Sequence, residues 1–81
     1  MYTRQQFGKE LKEKVLKQEP AYKIGSWAYV MYSRHMSEID LDFKDFLLDL
    51  STMESGEEFE YSYEELDKIA DRLIAGENVQ L

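Results

Sequence analysis

The chain has 81 residues, 43% hydrophobic and 33% charged, with a net charge of −7 and no cysteine. That length allows one domain. The missing thiols exclude a disulfide framework and any thiolate metal site, and the acidic balance argues against sequence-independent nucleic-acid binding, which needs a basic face. The longest apolar run, WAYVMY at 27–32, falls far short of the ~20 residues of a membrane span, and MYTRQQFGKELKEK has no apolar run behind its charges, as a signal peptide requires. The expectation is a cytoplasmic protein that engages neither membrane nor nucleic acid.

The charge is uneven. Residues 1–23 hold six Lys/Arg against three acids, net +3, and residues 24–81 hold four against fourteen, net −10. A surface of this kind favours solubility and attracts basic partners.

The first segment, about residues 4–18, has Thr3 as a suitable N-cap. Phe7, Gly8, Leu11, Val15 and Leu16 gather on one side of a helical wheel, with Lys12 among them, and Lys9, Glu10, Glu13, Lys14 and Lys17 on the other. Gly8 lies within the apolar face, where a missing side chain lets another helix come close. Pro20 ends this segment or opens the next at its first helical position.

The second segment, about 20–36, is apolar nearly all round. Ile24, Trp27, Ala28, Met31 and His35 share one face; Tyr22, Gly25, Tyr29, Tyr32 and Met36 share another; Lys23, Ser26, Ser33 and Arg34 form a narrow polar arc. Such a helix is expected at the centre, buried on several sides.

A third segment, about 41–54, carries the stripe Phe43, Phe46, Leu47, Leu50, Met53, with Asp40 or Asp42 as its cap. Leu41 and Leu48 point away from the stripe. The fourth segment, about 63–75, opens on SYEE, a capping box from Ser62 to Glu65, with Tyr61 and Leu66 in the hydrophobic-staple positions. Leu66, Ile69, Ala70, Leu73 and Ile74 form its buried face, Gly76 supplies the stop, and residues 77–81 are expected to fray. Between the third and fourth segments, Glu58 to Tyr63 alternate polar and apolar as a strand does. No second strand exists to pair with it, so the stretch is expected to be an extended loop with Phe59 tucked against the helices. The predicted fold is all-α: one domain, a small antiparallel bundle of four helices with the second central.

Signals for chemistry are weak. His35 is the only histidine; on a core-facing side of its helix it reads as a hydrogen-bonded residue at the core edge rather than a general base. Asp40, Asp42 and Asp45 resemble a calcium loop only briefly, because the positions that need Gly and Glu hold Asp45 and Ser51. No serine has a nucleophile-elbow context. No catalytic, cofactor or metal residue is assigned.

The favoured function is therefore non-enzymatic binding to another protein, or to a second copy as a homodimer. Tyr22, Gly25, Tyr29, Tyr32 and Met36 form the interface strip, since exposed tyrosine and methionine patches mark protein contacts. Two rivals stand beside it: a small enzyme using His35 with nearby carboxylates, and an inhibitor of a basic enzyme or a mimic of nucleic-acid phosphates. Size, acidity and helix count are similar to those of bacteriocin immunity proteins, which implies the second rival; that likeness is one of shape and charge, carried by no motif.

Overall fold

Thr3 starts the first helix, α1 (Arg4–Leu16), with a capping box. Its hydroxyl accepts from the Gln6 N–H at 3.1 Å, and the Gln6 side chain accepts from the Thr3 N–H at 2.9 Å, so two otherwise unpaired donors are satisfied. Pro20 caps α2 (Ala21–His35). Asp40, not Asp42, caps α3 (Leu41–Ser51), accepting from the Phe43 N–H at 2.8 Å. Ser62 and Glu65 form the predicted capping box of α4 (Tyr63–Ile74). Short 3-10 turns at Thr52–Glu54 and Glu57–Phe59 join α3 to α4. The computed structural model describes residues 1–81 and contains no strand. No helix is long and apolar enough to cross a membrane.

Two helix ends share one device. After α1 the Gln18 and Glu19 N–H groups donate to Val15 O and Lys14 O; after α4 the Gly76 and Glu77 N–H groups donate to Leu73 O and Arg72 O. Both are Schellman closures with a left-handed residue one step past the cap. Gly76, at φ 87, suits that position. Gln18, at φ 53, carries a Cβ penalty of about 1–2 kcal/mol. Its turn is held from outside, because the Tyr63 hydroxyl lies 2.9 Å from Gln18 O and 2.7 Å from Glu19 O.

The helices pack in two pairs, α1 on α4, and α2 on α3 with the 52–54 turn. Gly8 sets the first pair. A Cβ there would lie 2.9 Å from both Ala70 O and Leu73 Cβ, so only a glycine lets the backbones come this close. Gly25 sets the second pair in the same way: a Cβ would meet the Glu54 N at 2.7 Å. Phe7 joins the pairs. Fully buried, it stacks on Trp27 at 4.3 Å and meets Phe43 and Phe46 edge-on at 5.9 and 5.8 Å. The radius of gyration, 11.3 Å, matches the ~12 Å expected of a closely packed chain of this length.

Three expectations need correction. Leu16 is 75% exposed, because the wheel carries it about 100° past Val15 and beyond the α4 contact. Phe59 is exposed; the 3-10 turn replaces the extended loop, and Tyr61 packs against the core instead. The end of the chain is pinned rather than frayed: Val79 is only 4% exposed and sits by a small cleft lined by Arg4, Phe43, Phe46 and Leu73. Helix α2 is covered on one side. It buries Ile24, Gly25, Ala28 and Met31, and its opposite side is open.

Gly8→Ala is expected to destabilise the protein by about 1–3 kcal/mol, the usual cost of overpacking, against a surface glycine-to-alanine change that favours a helix. Urea denaturation of the two proteins measures the difference.

Candidate functional site

The open side of α2 follows directly from its core contacts. Ile24, Ala28 and Met31 occupy the buried arc, so residues about 180° away point to solvent. Tyr22, Tyr29 and Met36 are 56%, 51% and 46% exposed. They recur every seven residues and form a strip along the helix. Val30 is exposed beside them, and Ser26 and Ser33 fall between. Of the five residues assigned to the strip from sequence, the structure brings these three together in the open. Tyr32 is half-buried, packed on the core edge with its ring 6.1 Å from Tyr29. Gly25 is buried, and the close approach it allows is taken up by the chain's own 51–54 segment. Val30 was missed because its wheel position borders the polar arc.

The electrostatics of this face differ from the rest of the molecule. Residues 20–37 contain no carboxylate in a chain with 17. Lys23 and Arg34 are exposed and take part in none of the ion pairs, which join Arg4–Asp40, Lys12–Asp67/Asp71, Lys14–Glu19, His35–Glu38, Lys68–Glu64 and Arg72–Glu77. The outer side of α3 is the reverse. Leu41 is 69% exposed and Leu48 also reaches solvent; Asp42, Asp45 and Asp49 flank them without cationic partners. These aspartates line an open cleft of about 210 Å³ with Phe46 and the end of the chain.

His35 occupies a different environment. Tyr2 stacks flat on its ring at 4.2 Å, and its Nδ1 lies 3.2 Å from Glu38 Oε2. The other oxygen of Glu38 accepts from the Tyr2 N–H at 2.9 Å, and the Tyr2 hydroxyl donates to Glu10. The Tyr2 N–H bond, then the contact with His35, holds the Glu38 carboxyl below the usual range. The Phe43 N–H, then Arg4, does the same for Asp40. Burial, followed by the bond to Glu10, raises the Tyr2 phenol. Sequence reasoning missed Tyr2 altogether: it precedes the cap, outside any periodic pattern.

The signs of these shifts define the pH limits of stability. Glu38 and Asp40, with lowered folded values, contribute stability above the ordinary carboxylate range (about 3.9–4.3) that is lost as pH falls through their folded values. Tyr2, with a raised value, contributes below about pH 10, and that share is lost as pH rises further. Acid unfolding followed by circular dichroism is expected to flatten in a Glu38→Gln, Asp40→Asn double variant, and the alkaline decline is expected to flatten in Tyr2→Phe.

No protein-family model matches the chain, and no curated protein or solved structure is significantly similar to it. Its function is therefore read from its own surface.

Proposed function

We propose that this protein works without catalysis, by binding another protein through the outer face of α2. The supporting observation is that one helix carries a strip of exposed Tyr22, Tyr29, Val30 and Met36 with no carboxylate in it, on a molecule of net charge −7. Large amphipathic side chains in the open cost solvation while free and contribute burial when covered. Tyrosine does so at low cost in side-chain entropy. The reading takes the four helices as an antiparallel bundle with α2 at its middle, in keeping with the short connections. It takes the setting as cytoplasmic, in keeping with a chain free of cysteine.

The test is affinity capture from the native host with two baits, the wild type and Tyr29→Asp. Tyr29 points away from the core, so the variant is expected to fold with unchanged helix content. A protein retained by the wild type and lost with the variant supports the reading. Equal capture by both baits places the interface elsewhere.

A further inference from the structure

We propose that residues 1–4 and the corner between α2 and α3 form an acid-operated clasp, which closes one end of the molecule at neutral pH and opens below about pH 4 while the four helices stay folded. The clasp is independent of the reading of the α2 face.

The two helix pairs are tied differently at their two ends. The chain passes between them twice, through residues 17–20 and through residues 52–62. Both crossings lie at one end, where the Tyr63 hydroxyl reaches Gln18 O and Glu19 O. At the other end no covalent connection crosses. There the start of α1 meets the 36–40 corner through separate contacts. Glu38 accepts from the Tyr2 N–H at 2.9 Å and faces His35 Nδ1 at 3.2 Å. Asp40 receives the Arg4 guanidinium at 2.9 and 3.1 Å while it caps α3 through the Phe43 N–H. The Tyr2 ring stacks on His35, and the Arg4 guanidinium lies 5.4 Å from the Phe43 ring centroid.

The hydrogen bonds and the ion pair that join α1 to this corner all end on two carboxylates, Glu38 and Asp40. The charged groups facing them are Arg4, His35 and the Met1 ammonium. Glu10 holds the Tyr2 hydroxyl from within α1, and Asp42 borders a small cleft beside Arg4. The Tyr2 N–H and then His35 keep Glu38 below the ordinary carboxylate range; the Phe43 N–H and then Arg4 do so for Asp40. Both are therefore charged, and the clasp shut, above about pH 3.9–4.3, and their contribution is lost as pH falls through the lowered folded values. Arg4, the Met1 ammonium and the imidazolium of His35 then share the corner with no negative charge from Glu38 or Asp40 between them. Exposed ion pairs contribute little singly, so their loss frees this end without melting the helices. Phe7, one turn further along α1, and Val79 are uncharged and buried, and they set the inner limit of the opening. Ile39 and Phe43, buried beside residues 1–4, become accessible.

Nuclear magnetic resonance of the isotope-labelled intact chain, titrated from pH 7 to pH 2.5, tests the clasp residue by residue. At pH 7 the amides of residues 2–5 and 36–40 are expected to show the heteronuclear NOE of rigid backbone. Below about pH 4 they are expected to lose it and move to coil shifts, while amides in the middle of all four helices keep their native shifts. The Glu38→Gln, Asp40→Asn double variant mimics the neutralised carboxyls and is expected to show the open pattern already at pH 7, with no local step on acidification. Arg4→Gln supplies a second variant if that one fails to fold. It removes the cation facing Asp40 and is expected to move the local step to higher pH. A single transition in which every amide changes together overturns the clasp, as do residues 2–5 that stay rigid to pH 2.5. A double variant identical to wild type at pH 7, or an Arg4→Gln midpoint that does not move, also overturns it.

Discussion

Phe7 and Gly8 are neighbours on α1 and together hold it to the other three helices. Gly8 presents bare backbone to α4, where even a methyl group would collide with Ala70 and Leu73. Phe7 reaches the other way, into Trp27 of α2 and Phe43 and Phe46 of α3. A domain of this size exposes much of its surface even when folded, so each large side chain in the core carries an unusual share of the stability. Tyr2 on His35, Arg4 to Asp40 and Lys14 on Trp27 also link the two helix pairs, but Phe7 is the fully buried ring that meets both α2 and α3 at the centre of the core.

That arrangement explains why α2 has an outside at all. Trp27 stacks on Phe7 of α1 and also carries the Lys14 ammonium 4.7 Å from its ring centroid, a cation–π contact. Ile24, Ala28 and Met31 then point at α3. Gly25 draws in the 52–54 turn on one flank. The remaining arc of a fifteen-residue helix has no element left to cover it. Tyr22, Tyr29 and Met36 stand in solvent because none of the other three helices covers them. The acidic residues cluster elsewhere, on α3, α4 and the segment between, and the uncovered strip itself holds no carboxylate.

Much of the fold was legible in the sequence because it depends on local chemistry. The Ser62–Glu65 box, the Thr3 cap and the Gly76 stop act within a single turn, and the stripes on α3 and α4 have enough members to survive an error at one position. Asp40 and Asp42 were equivalent by cap chemistry alone; in the fold, Asp40 caps and also receives Arg4 at 2.9 Å from 36 residues away. Tyr2, Phe59 and Val79 were misread for the same reason, since each is a single side chain outside a periodic segment and its burial is decided by a distant partner. The α2 strip was legible as a pattern, but not which of its members would be open. Gly25 and Tyr32 are on the right side of the wheel and are covered by the 51–54 segment and the core edge, whose positions no periodicity specifies.

Native-state hydrogen exchange in a Phe7→Leu variant tests most directly whether one residue unites the two helix pairs. If Phe7 binds them into a single cooperative unit, the slowest amides of α1, α2, α3 and α4 lose protection by the same free energy. If α1 and α4 lose protection while α2 and α3 keep that of the wild type, the pairs are independent and the account is wrong at its centre.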